Sequence, residues 1–184
     1  MNNNIDLSMY NLRTDLVLDT LDYSKTKVEK EVNNYEKINV TKVIIDAKLE
    51  KEINKKQGVY ITLEFEDITD YDNRLKITKT LAEEIKKLLT IKNIDDNMKC
   101  LIIGLGNDKS TPDALGPKVI DNIMVTRHLF ELNENIKDGI RNVSAIACGV
   151  MGETGIETSD IIKSIIKTTK PDFVIAIDAL CASS

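Results

Sequence analysis

The stretch Met98-Lys-Cys-Leu-Ile-Ile-Gly-Leu-Gly-Asn-Asp-Lys-Ser-Thr-Pro-Asp-Ala-Leu-Gly-Pro117 decides the fold. Its opening residues, through Gly104, form a short apolar run of the kind that lies buried on both faces of a parallel sheet. Val143-Ser-Ala-Ile-Ala147 and Phe173-Val-Ile-Ala-Ile177 have the same character, the last continuously apolar. Helical spacing separates the three runs. Pro117 can occupy a helix's first turn, with Val119, Ile120, Ile123, Met124 and Leu129 following, and Ile161, Ile162, Ile165 and Ile166 mark a second helix that ends before Pro171. Thr154-Gly-Ile-Glu157 has the spacing of a capping box, with Ser159 as an alternative start for that helix. Strand, helix, strand, helix, strand predicts right-handed crossovers and an open, mainly parallel α/β sheet with helices on both faces.

Upstream the rhythm changes. Val59, Ile61, Leu63 and Phe65 alternate with Tyr60, Thr62, Glu64 and Glu66, the period-two signature of a half-buried strand. Val43-Ile-Ile-Asp-Ala-Lys-Leu49 is the expected antiparallel neighbour, joined to it through the polar stretch from Glu50 to Gly58, so the N-terminal half carries an antiparallel strand pair. Ile77, Leu81, Ile85, Leu88 and Leu89 follow helical spacing and predict an amphipathic helix over residues 75–91. Composition shifts near residue 97: Gly58 is the only glycine before that point, whereas all three prolines come after it. Special backbone conformations therefore concentrate in the second half.

The whole chain of 184 residues is 42% hydrophobic and 30% charged, the profile of a soluble globular protein of one or two domains. Its net charge of −5 gives no attraction to nucleic acid or anionic lipid, which disfavours direct nucleic-acid binding. No apolar run is long enough to span a membrane, and the Met1–Asp6 start lacks the pattern of a signal peptide, so the expected location is cytoplasmic. Cys100, Cys148 and Cys181 form no CxxC pair and read as reduced, buried thiols. His128 is the single histidine, which excludes a multi-histidine metal site and leaves one candidate for any histidine-dependent catalysis.

If the three downstream strands adopt the doubly wound order with the first in the middle, a crevice opens at the carboxyl ends of the first and third. Asp113, in the loop leaving the first strand, and Asp178, directly after the third, would both face it. A carboxyl at the end of a buried strand is poorly solvated, and a second one nearby separates their proton affinities, so such a pair can supply a general base for water and an acid for a leaving amine. The bland alternative is that Asp113 caps a helix and Asp178 is a strand-end hydrogen-bonding residue. Other candidates are weaker. Gly104-Leu-Gly106 suggests a dinucleotide fingerprint, but Lys109 stands at the third glycine position. Lys109 and Arg127 read either as solvated charges or as substrate clamps, His128 as an ordinary helix residue, and the cysteines as inert.

Several longer blocks carry a more specific resemblance. Arg13-Thr-Asp-Leu16, Gly104-Leu-Gly-Asn107, Thr111-Pro-Asp-Ala-Leu-Gly-Pro117, Thr126-Arg-His-Leu-Phe130, Gly149-Val-Met-Gly152, Thr154-Gly-Ile-Glu-Thr-Ser-Asp160, Lys170-Pro-Asp-Phe173 and Ala176-Ile-Asp-Ala-Leu180 together resemble the germination protease family of spore-forming Gram-positive bacteria. The resemblance implies an atypical aspartic endopeptidase that starts the degradation of small acid-soluble, DNA-protecting spore proteins at germination. It implies an α/β fold similar to hydrogenase maturation peptidases, no metal or other cofactor, a location in the cytoplasm of the spore core, and a homotetramer at full length. The family's catalytic pair maps onto Asp113 and Asp178. Members are made as zymogens that remove an N-terminal segment themselves; the matching Leu12-Arg-Thr-Asp-Leu16 places the cut between Asp15 and Leu16, with residues 1–15 as propeptide.

Two departures stand out. Cys148 takes the place of an expected proline before Gly149, which argues against a required nucleophile there. The family also continues well past Asp178, whereas this chain ends at Ser184. Residues 16–184 are therefore expected to be the N-terminal part of a single α/β peptidase domain, truncated and with little or no activity by itself. A hydrogenase maturation-type peptidase and a non-catalytic peptide-binding module are the alternatives.

Overall fold

In the computed structural model, residues 16–18, 30–35, 37–132 and 136–180 are described. They fall into two compact units that meet in sequence at Asn93, close to the compositional shift: residues up to Asn93 form one, and Ile94–Leu180 the other.

The first unit is a three-stranded antiparallel sheet, ordered β1 (Lys30–Tyr35), β2 (Ile38–Ile45), β3 (Gly58–Phe65). The expected pair is present, with Ile45 opposite Gly58 and Ile38 opposite Phe65, but the strand ends at Ile45 rather than running to Leu49. The reason is a cap. The Asp46 carboxylate accepts from the backbone N–H groups of Lys48 (3.0 Å) and Leu49 (2.8 Å), which starts helix α1 (Ala47–Ile53), and Asn54 stops it in the left-handed region at φ 54°. Strand β2 changes its buried face midway. Ile38 and Val40 pack with Ile77, whereas Val43 and Ile45, of opposite parity, pack with Ile53 and Val17. That switch erases the simple alternation that would have marked the strand in sequence. Helix α2 (Tyr71–Ile91) begins four residues before the expected start, because Asp70 caps it by accepting from Asn73 N–H at 2.8 Å.

The second unit is a parallel sheet in the order β5 (Val143–Ala147), β4 (Cys100–Gly104), β6 (Phe173–Ile177). This is the doubly wound order, with the first strand central. Helices α3 (Leu115–Ile120), α4 (Arg127–Glu131), α5 (Met151–Thr154) and α6 (Thr158–Thr169) fill the connections. Leu101 and Ile103 pack with Ile161, Ile162 and Ile165 of α6, and Ile120 of α3 occupies the space beside Gly104 on the other face. The sheet is therefore covered by a helix on each face. Burial on both faces, expected of all three strands, holds for β4 alone: Val174 of β6 remains 40% exposed because β6 is an edge strand among the described residues.

Two local expectations are corrected. The helix read from Pro117 to Leu129 is two helices. The first ends at Ile120, and the second starts behind Thr126, which is held to β5 and the segment before it: its N–H donates to the Val143 carbonyl, its hydroxyl donates to the Arg141 carbonyl, and it accepts from Val143 N–H at 2.9 Å. The capping box at Thr154 does not form, since α6 starts at Thr158 behind Glu157 and the Thr154 hydroxyl instead accepts from Ile156 N–H in a local turn. At the amino edge of the sheet, Asp172 accepts from Lys99 N–H at 2.6 Å. Arg141 donates to the carbonyls of Asp95 and Met98 and stacks on the Phe173 ring. No helix among the described residues is long and apolar enough to cross a membrane.

Candidate active site

The carboxyl edge of the β5-β4-β6 sheet carries both aspartates singled out from sequence. Asp113 ends a single 3-10 turn, Thr111–Asp113, just before α3; Asp178 follows the last residue of β6. The strands that lead to them are direct neighbours, with Gly104 opposite Ile177. Beyond that pair the two loops stay joined, because Leu105 N–H donates to the Ile177 carbonyl at 2.8 Å. Gly116, in α3, sits in the corner so made. A Cβ at Gly116 would lie 2.6 Å from the Ile177 oxygen and 2.5 Å from the Leu105 nitrogen, so only glycine permits the helix to approach both strands.

The loop returning to Asp113 is held by its own backbone. Asn107 N–H donates to the Asp113 carbonyl (3.0 Å), Ser110 N–H to the Asn107 carbonyl (3.1 Å), Asp113 N–H to the Ser110 carbonyl (2.8 Å), and Lys109 N–H to the Asn107 Oδ1 (2.9 Å). Gly106 has φ 108°, and a Cβ there would lie 2.9 Å from Asp113 Oδ1 and collide with the Asp113 carbonyl oxygen. The Asp113 side chain thus rests against the Gly106 backbone.

The two carboxyls differ in exposure. Asp113 is half-buried, but Asp178 is exposed, and its Oδ1 accepts from Ala179 N–H at 2.9 Å. The expectation of a poorly solvated carboxyl at the end of β6 is therefore corrected: this edge strand has no neighbour on its outer side among the described residues to exclude water.

The remaining candidates resolve simply. Lys109 pairs with Glu153 of α5 at 3.2 Å, linking the loops that leave β4 and β5. Arg127 pairs with Glu131 at 2.7 Å and donates to the Thr169 carbonyl at 3.1 Å, which ties α4 to the end of α6. His128 is exposed on α4. Cys148 lies in the core with Leu101 and Ile103, and burial pushes its thiol above the usual cysteine range. Cys100 is raised by the same cause, against an opposing pull from Arg141. Asp15 and the rest of residues 1–15 lie outside the described residues, as does Cys181. Leu16 is half-buried, and Val17 next to it belongs to the core of the first unit. Among the described residues no group of three or more His, Cys, Asp or Glu gathers as a metal site would require. Sequence reasoning did not single out Asn107 or Arg141. An asparagine two residues before an otherwise unsatisfied N–H is the available signal for the first; nothing local marks the second.

Fold and site together define an open-sheet α/β protein with polar groups gathered at the carboxyl edge, where such sheets bind ligands. Comparison with known proteins makes this specific. A family model described as germination protease matches residues 13–184. The germination protease of Bacillus cereus (strain AH187) is 46% identical over 192 residues, covering 98% of this chain and 52% of the relative. That of Bacillus velezensis (strain DSM 23117 / BGSC 10A6 / LMG 26770 / FZB42) is 46% identical over 194 residues, covering 98% and 53%. The chain belongs to the germination protease family, a family of peptidases, and spans about half the length of the curated relatives it matches.

Proposed function

We propose that the chain is the N-terminal part of an aspartic-type endopeptidase that initiates the breakdown of small acid-soluble, DNA-protecting spore proteins at germination. Water attacks the peptide carbonyl with one of Asp113 and Asp178 as general base, while the other, protonated, donates to the leaving amine. Residues 1–15 are a propeptide removed by self-cleavage between Asp15 and Leu16. The enzyme works in the cytoplasm of the spore core, uses no cofactor and assembles as a homotetramer at full length.

The observation that carries this reading is the junction of β4 and β6. The hydrogen bond from Leu105 to Ile177 and the contact of Asp113 with Gly106 put the loops bearing the two aspartates side by side, on a chain whose family is one of proteases. Removing either carboxylate should abolish catalysis if they share the acid and base roles. In a chain of the relatives' full length, Asp113→Asn and Asp178→Asn are each expected to lower hydrolysis of a spore-protein peptide by at least about 100-fold. Hydrolysis at the wild-type rate in either variant would refute the dyad.

A further inference from the structure

We propose that Asn107 is the positioning residue of Asp113, acting through its side-chain carbonyl rather than through its backbone alone; this rests on the reading of Asp113 as one of the two catalytic carboxyls. The loop between Gly104 and Leu115 has no regular structure except the short 3-10 turn, so its backbone groups must find individual partners. Asn107 is where they converge. Its N–H reaches the Asp113 carbonyl, its carbonyl takes the Ser110 N–H, and its Oδ1 takes the Lys109 N–H. The first two bonds are open to any residue but proline. The third requires a short side chain ending in an acceptor, and it closes the turn that folds Lys109 and Ser110 back so that Ser110 can accept from Asp113 N–H.

The chemistry at this position is further restricted. Aspartate has the same acceptor geometry and is as common in such turns, yet it would place a fixed negative charge on the loop that carries Asp113. Asparagine supplies the acceptor without the charge. Gly106 completes the device: with φ 108° and no Cβ, it lets the Asp113 carboxyl lie directly against the backbone that precedes Asn107. The same turn sets the base of the Lys109 side chain, whose ammonium meets Glu153 across the edge, so one amide side chain organises the rim from β4 to β5.

The test reads the loop's atoms in the chain itself and is independent of any peptidase assay. Four variants, Asn107→Ala, Asn107→Gly, Asn107→Ser and Asn107→Asp, are compared by amide hydrogen exchange and by the NMR chemical shift of the Asp113 carboxyl carbon at one fixed pH. Asp172, at the other edge of the sheet, is the control. Asn107→Ala is expected to raise exchange at Lys109 and Asp113 by about tenfold or more and to displace the Asp113 carboxyl signal, with Asp172 unchanged. Asn107→Ser, neutral and still an acceptor, should restore both. Asn107→Asp, which keeps the acceptor, should restore protection. Unchanged protection and signal in the alanine variant would overturn the proposal. Should that variant not fold, Asn107→Gly, which also lacks the acceptor, decides: protection at Lys109 and Asp113 equal to that of the serine variant also overturns it. Because no cleavage is measured, a failed dyad would show only in the Asp113→Asn and Asp178→Asn assays, and a failed role for Asn107 only here.

Discussion

The backbone N–H of Leu105 donates to the carbonyl of Ile177 at 2.8 Å. These residues lie one step beyond β4 and at the end of β6, so this single bond extends the parallel ladder past the strands and sets where the two loops part. Asp178 is the next residue after Ile177, and Gly106, against which Asp113 rests, is the next after Leu105. The proposed pair is thus specified by backbone pairing close to the chemistry. Gly116 matters for the same reason, because its missing side chain lets α3 close over the bond without breaking it.

Gly106→Ala should be severely destabilising. The residue holds φ 108°, and the new methyl group would overlap the Asp113 carbonyl oxygen. Backbone strain and the clash together predict a loss of about 3 kcal/mol or more, measured by urea denaturation, with exchange protection lost first at Asn107 and Asp113.

Asp46→Ala tests the start of α1. Losing both side-chain bonds to Lys48 and Leu49 N–H should cost about 1 kcal/mol by chemical denaturation, whereas Asp46→Asn, also a good cap, should cost only a few tenths.

Arg141→Ala should cost about 2 to 3 kcal/mol, because it strips the Asp95 and Met98 carbonyls of a charged donor and removes the stack on Phe173. Arg141→Lys keeps the charge but not the planar fork, and thermal unfolding should show it recovering less than half of that loss.

The buried thiols give a prediction in pH. Burial raises both Cys100 and Cys148, which means that the reactive thiolate is scarcer than in a free cysteine at any pH below the raised value. Alkylation at pH 8, followed by mass spectrometry of the peptides carrying each residue, should be at least about tenfold slower than for the unfolded chain. The gap should narrow as pH rises through the raised values, since the thiolate fraction of the folded protein then catches up.

Exposure of Asp178 predicts how the chain behaves alone. Asp178 is exposed among the described residues, and a carboxyl that must exchange a proton with a substrate works poorly where bulk water competes for it. Turnover of a spore-protein peptide by the 184 residues alone should fall at least about 100-fold below that of a full-length Bacillus relative in the same assay.

Much was legible in the order of residues because the signals are local. The apolar runs at Cys100, Val143 and Phe173, with helical spacing between them, imply a parallel sheet, and the doubly wound order follows from common topology. The positions of Asp113 and Asp178 at one edge follow from that order. Other features depend on partners far away in sequence. The start of α4 is set by Thr126, which is tied to Arg141 and Val143, and β2 hides its period because two helices bury opposite faces of one strand. The solvation of Asp178 was also invisible, since an apolar run reads alike in a central strand and an edge strand. Sequence alone determined which elements form and which acids end them, because helix and strand patterning, caps and turns act over a few residues. Only the tertiary structure decided how Asp113 is held and how far water reaches Asp178, because both depend on which backbone groups meet across the sheet.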